Sequence, residues 1–297
     1  MKLRPLELRM KLYDEVYSLR RLGLSYSQII KIIQEKYNER LTFSHISYWI
    51  RGIYNPYGRV ITLDDIKPSK ELAFIIGSII GDGNIFIYAK EKKHYYRICL
   101  ICKDFDYALE FARCLEYIGV NSRIGKRRNG CYIVEEYSRT LCELLKKPLD
   151  IEKLRQYIEY SVETITSFLR AFCDSEGYVD RRGNIYVYNT DIKILNYIKE
   201  LLLRLKIDVT GPHLLAKKGI PFYDRKRGKT YYAKKDEYYL YIRVNSRGRF
   251  AELIGFTIRR KMERLMKALN PHHSSPLLSI LKCLTPRSEI VSRYIAA

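Results

Sequence analysis

The strongest constraint on this chain is that it repeats itself. "IIGSIIGDGNIFIY" at residues 75–88 lies over "LRAFCDSEGYVDRR" at 169–182, an offset of 94 residues. "CKDFDYALEFARCLEYIGV" (102–120) has its counterpart in "YNTDIKILNYIKELLLRLKI" (188–207). "YSRTLCELL" (137–145) matches "NSRGRFAELI" (245–254), each with a Ser-Arg pair opening a short helix. Each unit reads helix, two strands, helix, two strands, helix, and the second carries an insertion between its last two strands. A tandem duplication of this kind predicts an α+β domain of two pseudo-symmetric αββαββα halves, residues 71–150 and 151–270, packed face to face.

The most apolar part of the repeat, "FIIGSIIGDGNIF" (74–86), is too short for a membrane span, which needs about 20 apolar residues as a helix. Read as helices, 72–81 and 166–175 place Gly77 and Gly81, and likewise Ala171 and Ser175, four residues apart on one face. Small residues at that spacing let two helices approach closely, and glycine inside a helix costs roughly 1 kcal/mol against alanine unless packing requires it. The pseudo-twofold axis is therefore expected between these helices. Asp82 and Glu176, themselves 94 residues apart, then emerge side by side at the helix C-termini. Two carboxylates beside unsatisfied helix carbonyls make a negative spot suited to a hard cation such as Mg²⁺. A cation so placed supports phosphodiester hydrolysis, and two acids related by a twofold match the antiparallel strands of a duplex.

Charge points to the same partner. The 297 residues contain 54 Lys and Arg against 33 Asp and Glu, a net charge of +21, which implies a polyanion. No lipidation motif, long apolar helix or signal peptide directs it to a membrane, so a nucleic acid is expected, in the cytoplasm and at the nucleoid. A hydrophobic fraction of 47% excludes a disordered chain. The seven cysteines are scattered through apolar runs and read as reduced thiols, and "CLIC" (99–102) has no second pair to complete a zinc site. Scarce Gln with abundant Lys, Glu, Arg, Ile and Tyr fits a hyperthermophilic host.

Residues 1–60 form a separate helical unit. Leu8, Leu12, Val16 and Leu19 share one helix face, and Gly23 stops it. Ser25 and Gln28 have capping-box spacing before Ile29, Ile30, Ile32 and Ile33. A third helix turns Ile46, Trp49 and Ile50 inward and Ser44, Ser47, Tyr48 and Arg51 outward. This order resembles a helix-turn-helix DNA-binding unit, although the connection before the third helix is long; a plain three-helix cap is the alternative. Residues 61–70 read as a linker and 271–297 as a tail.

"IIGSIIGDG" and "LRAFCDSEG" resemble the two namesake motifs of single-chain LAGLIDADG homing endonucleases, and "AELIGFTIRRKMERL" is typical of the same family. The resemblance covers roughly 69–270 and implies a monomeric pseudo-dimer with saddle-shaped sheets over double-stranded DNA. It further implies that Asp82 and Glu176 are the metal-binding catalytic acids, with Mg²⁺ or Mn²⁺, and that the carbonyls of Gly81 and Ser175 help bind the metal. Ile80 stands where the family name has Asp, while Asp174 is kept in the second motif.

Family members often place a basic residue or Gln near the cleavage centre. Lys103 is the candidate here, with Asn189 opposite it in the repeat and Arg259 and Lys261 next in line. DNA contacts are expected from Arg123, Lys126, Arg127 and Arg128 at one hairpin. In the insertion, Lys217, Lys218, Arg225, Lys226, Arg227, Lys229, Lys234 and Lys235 alternate with Tyr223, Tyr231 and Tyr232. The expected function is site-specific double-strand cleavage. A non-cleaving DNA-binding regulator and an intron RNA splicing maturase on the same scaffold are the alternatives.

Overall fold

A computed structural model describes residues 4–51, 54, 56, 66–90, 93–225 and 227–269, with 6, 89, 90, 93 and 94 described by backbone alone. Lys226, residues 61–65 of the linker and the tail lie outside the described residues. The chain divides into two compact units: Met1–Ile66 with Gly119–Asn121, and the remainder.

In the first unit, α1 (Leu6–Arg21), α2 (Tyr26–Tyr37) and α3 (Phe43–Ile50) enclose a core of Leu12, Val16, Ile29, Ile33, Leu41, Ile46 and Trp49. Ser25 and Gln28 form the capping box that starts α2, and Thr42 and His45 form another that starts α3. Only Ile29 and Ile33 of the four α2 isoleucines are fully buried; Ile30 and Ile32 lie at the rim, because one helix stripe faces the core. Ser44, Tyr48 and Arg51 are exposed and Ser47 is half-buried.

The second unit displays the repeat. α4 (Lys70–Ile80), β1 (Asn84–Lys90), β2 (Lys93–Cys102), α5 (Phe105–Tyr117), β3 (Ile124–Lys126), β4 (Tyr132–Tyr137) and α6 (Arg139–Leu144) are followed by α7 (Ile151–Ile158). The second pass runs α8 (Val162–Glu176), β5 (Gly177–Val179), β6 (Ile185–Asn189), α9 (Ile192–Arg204), β7 (Val209–Ala216), the inserted β8 (Pro221–Asp224) and β9 (Lys229–Tyr232), then β10 (Glu237–Ile242). A 3-10 turn, α10 (Arg247–Leu253) and α11 (Arg259–Leu269) complete it. The sheets have strand orders β1-β2-β4-β3 and β5-β6-β10-β7, which is one topology used twice; β8 and β9 pair separately as a ribbon. Strand alternation buries Ile98, Leu100 and Val134 in one sheet and Ile185, Val187, Leu240 and Ile242 in the other beneath the helices.

α4 and α8 pack against each other at the centre of this unit. Every residue of α4 from Leu72 to Ile80 is buried, Ser78 being the one polar side chain among them. The approach is close enough that a Cβ added at Gly77 would lie 2.4 Å from the Phe168 carbonyl oxygen and 3.0 Å from the Ala171 Cβ. One turn on, a Cβ at Gly81 would lie 2.4 Å from the Ser175 Cβ. At the far end the Ser167 hydroxyl donates to the Lys70 carbonyl at 2.6 Å. α4 ends at Ile80, with Gly81 as its C-cap, and α8 is longer than its spacing predicts, starting from a Ser161–Thr164 capping box.

The contact predicts opposite outcomes for one substitution at two helical glycines. Gly77→Ala gains helix propensity yet must push α4 off α8, and should lower stability by about 2–4 kcal/mol in thermal or denaturant unfolding. Gly248→Ala in α10, where a Cβ meets nothing within 4 Å, should be neutral or stabilising by up to about 1 kcal/mol.

Candidate active site

The close crossing delivers both motif acids to one place. Glu176 is the last residue of α8, and its Cγ lies 3.5 Å from where a Gly81 Cβ would stand, one residue before Asp82. Asp82 is exposed to solvent, and Glu176 is half-buried. Burial raises the pKa of Asp82, eased by the nearby charge of Lys261. Glu176 is pushed up to about 7, first by burial and then by the negative charge of Asp82, with Lys261 and Lys147 acting in the opposite direction. Two hard carboxylates that repel one another in the absence of a cation fit a divalent ion that also takes water and phosphate oxygens. Among the described residues no group of three or more His, Cys, Asp or Glu forms a closed metal cage.

Behind the acids the backbone is held by lysines. Lys261 of α11 is buried, and its ammonium donates to the carbonyls of Cys173 (3.2 Å), Asp174 (2.6 Å) and Gly177 (2.6 Å). In the first half Lys147 donates to the Gly83 carbonyl at 3.1 Å. Gly83 and Gly177 each follow a motif acid and are 94 residues apart, so each half fixes the turn after its acid with a lysine. The halves differ in one respect: Lys147 is exposed and Lys261 is sealed in, where desolvation lowers its pKa. Lys261, next in line after Lys103 as a basic group near the cleavage centre, acts on the charge of both acids, and its ammonium is bound to helix-end carbonyls, where a cation offsets the helix dipole.

Asp174 and Ile80, the two residues at the divergent motif position, also separate in role. Asp174 is buried and accepts from the backbone N–H groups of Thr257 (3.0 Å) and Ile258 (3.1 Å), which holds the segment leading into α11. Burial raises its pKa to about 6 against the pull of those bonds and of Lys261. α7, which follows the first half as α11 follows the second, is capped by its own Asp150, whose side chain accepts from the Lys153 N–H. Ile80, apolar and buried, offers no such acceptor in the first half. The first half contributes to α11 in another way: Asp106 accepts from the Arg259 N–H at 3.0 Å, and Asp104 holds the Arg260 guanidinium through two bonds of 2.7 and 2.8 Å.

Ser175 is tied down through its hydroxyl, 2.6 Å from the hydroxyl of buried Tyr107 and 3.2 Å from the Ala171 carbonyl it donates to. Lys103 is exposed one residue past β2, whose last residue, Cys102, feels the charge of Asp82 in its raised pKa of about 12, caused first by burial. Asn189 ends β6 and accepts from the Asp191 N–H. Arg259 is exposed. Arg123, Lys126, Arg127 and Arg128 are exposed on β3 and the turn beyond it. Lys217, Lys218, Arg225, Arg227, Lys229, Lys234 and Lys235 are exposed along the β8–β9 ribbon and its flanks. The six described cysteines are free thiols, and strand alternation turns Cys99 and Cys102 to opposite faces of β2. No helix among the described residues is long and apolar enough to cross a membrane. Lys147 carries no motif of its own; its only sequence signal is a position just before the capped helix that closes the first half.

Two substitutions should move stability in opposite directions. The folded pKa of Glu176 lies above its ordinary value, so the folded protein binds the extra proton and loses stability as pH rises from about 4.5 to about 7. Glu176→Gln should therefore raise stability at pH 8 without metal by about 1–2 kcal/mol after allowance for solvent screening. Lys261→Met strands three helix-end carbonyls and should cost about 2–4 kcal/mol. Denaturant unfolding at pH 8 with chelator measures both.

The profile of the LAGLIDADG-like domain matches residues 69–147 and 163–255, which covers both repeats. An uncharacterised protein of Methanocaldococcus jannaschii is 37% identical over 265 residues, 88% of this chain and 93% of that protein. A second uncharacterised protein of the same organism is 31% identical over 157 residues, 48% of this chain and 57% of its own length. Among solved structures, I-DmoI in complex with DNA and Mn is 19% identical, with a TM-score of 0.46 over 63% of this chain and 97% of that chain. The N-terminal LAGLIDADG domain of DUF199/WhiA is 15% identical, with a TM-score of 0.39 over 68% of this chain and 91% of that one. By the profile match across both repeats and the near full-length 37% relative, the chain belongs to the LAGLIDADG-like domain family.

Proposed function

We propose that this protein is a metal-dependent endonuclease that cuts both strands of double-stranded DNA at a specific site. The observation that carries the reading is the juxtaposition of Asp82 and Glu176 at the ends of two crossed helices, with the pKa of Glu176 pushed up to about 7 first by burial and then by its partner's charge. A protein that only bound DNA would gain nothing from carboxylates turned toward phosphates. Membership of a family that includes homing endonucleases supports the same activity.

In this reading Asp82 and Glu176, with the carbonyls of Gly81 and Ser175, hold Mg²⁺ or Mn²⁺. When bound, the ion would supply charge neutralisation at the phosphate and an acidified water. Lys147 and Lys261 keep the turns after the two acids from drifting, and Lys103 is the candidate to orient water or phosphate from the end of β2. Arg123, Lys126, Arg127 and Arg128 and the cations of the β8–β9 ribbon track the duplex backbone, which makes binding strongly salt-dependent. Ser44, Ser47, Tyr48 and Arg51 of α3 extend the contacts as a helix-turn-helix-like unit. The protein acts as a single-chain pseudo-dimer inside the cell. The origin of its relatives in Methanocaldococcus jannaschii is in keeping with its thermophile-like composition.

Asp82→Asn and Glu176→Gln should each lower double-strand cutting by more than about 100-fold, the scale of lost charge stabilisation at a reacting group, while DNA affinity stays within a few-fold. Cutting by the unaltered protein should rise with pH through about 7, because Glu176 must lose its proton before it can bind a cation. Both are read by incubating purified protein with Mg²⁺ and a library of duplex targets. Full cleavage by either variant contradicts the assignment. Binding without cleavage by the unaltered protein favours a regulator, and activity only in a host-intron splicing assay favours a maturase.

A further inference from the structure

The outward face of the second sheet has an unusual composition for a protein of this charge. The register aligns Tyr178 with Tyr186, Tyr186 with Tyr241, Tyr188 with Tyr239, and Tyr239 with His213, so that six rings share the face away from the helices. Their centroids lie 5.3 Å (186–241), 6.0 Å (188–239), 6.2 Å (186–188) and 5.2 Å (213–239) apart, and Tyr178 is 48% exposed. β5, β6, β7 and β10 contain no Lys or Arg at all. The cations stand instead beside the sheet, on the ribbon inserted between β7 and β10. This face begins at the candidate active site, since Glu176 immediately precedes β5 and the charge of Glu237, first residue of β10, reaches it.

Those facts restrict what the face can read. Guanine is recognised in the major groove by Arg or Lys reaching its O6 and N7, and the four strands carry neither; Arg181 and Arg182 stand in the β5–β6 connection at the end of the sheet, and Arg247 is bonded to that connection through the Arg182 carbonyl. Phenol and imidazole rings offer apolar edges with a few hydroxyls, and the matching feature of the groove is the C5-methyl group of thymine. The rings of Tyr186, Tyr188, Tyr239, Tyr241 and His213 lean on their neighbours too closely to take an unpaired base between them, which favours a stacked duplex over a splayed single strand. Phosphate attraction is supplied from the side by the ribbon, leaving the sheet free for apolar contact. The first sheet also carries rings on this face, Phe86 and the stacked pair Tyr88 and Tyr95, but differs in placing a charged pair among them: Arg97 lies 3.0 Å from Glu135 and 4.3 Å over the Phe86 ring.

We infer that the half-site read by the second sheet is thymine-rich and is recognised through thymine methyl groups packed on the tyrosine face. The inference rests on the proposal that the chain binds duplex DNA. The test is selection of bound duplexes from a randomised library by the full-length chain in chelator, followed by replacement of thymine with deoxyuridine, which removes only the methyl. Each lost contact weakens binding about fourfold, so full replacement in that half-site should cost more than about tenfold, against less than about threefold in the other half-site. Tyr178→Ser and Tyr188→Ser should each reduce the thymine–deoxyuridine difference, which marks the half-site concerned. A duplex-binding chain that ignores the methyl, or that selects a guanine-rich sequence in that half-site, overturns the inference and leaves the nuclease reading standing. Preference for single strands over duplex overturns it in favour of base stacking, and absence of any nucleic-acid binding overturns the functional reading itself.

Discussion

The rest of the molecule depends on the close crossing of α4 and α8. Gly77 and Gly81 remove the side chains that would hold the backbones apart, and Ala171 and Ser175 present the smallest available surface from the other side. The gain is dispersion and burial over a helix buried from Leu72 to Ile80, and the cost is one glycine inside that helix and another at its C-cap. A wider crossing would still bury both helices. It would not bring the ends carrying Asp82 and Glu176 together, so the function proposed here is a consequence of how few atoms lie in that contact.

Concentrating carboxylates at one end of two helices is electrostatically unfavourable, and the surrounding residues are arranged to limit it. Lys261 and Lys147 place positive charge on the turns behind the acids, and both depress the pKa of Glu176. Lys261 itself is kept in place by α11, whose start is held by Asp174 from one half and by Asp104 and Asp106 from the other. α11 thus ties both halves to the geometry of a single site. The pseudo-symmetry is broken in a definite way: one lysine is buried with three carbonyl partners and the other is exposed with one.

The legible parts of the sequence were those with local or periodic signatures. The 94-residue repeat foretold the order of elements and two sheets of one topology, and the Gly and Ala spacing foretold which helix faces meet. The Ser25–Gln28 capping box was readable because its partners are three residues apart. Long-range partnerships were not readable. Nothing near Lys261 announces that its ammonium meets carbonyls more than 80 residues away, and Lys147 has no motif around it. The part played by Asp174 was equally hidden, because its bonds run to Thr257 and Ile258, more than 80 residues on. The tyrosine face escaped notice because four strands from distant segments compose it, each contributing only one or two rings.

The central claim is that Asp82 and Glu176 share one electrostatic site. Carbon-detected NMR titration of the Glu176 carboxyl, in the unaltered protein and in Asp82→Asn, both free of metal, tests it most directly. The account predicts an apparent pKa of about 7 in the first and a clear fall in the second, because a neighbouring negative charge has been removed. An unchanged titration would mean that the two acids do not sense each other, and the shared metal site would have to be abandoned.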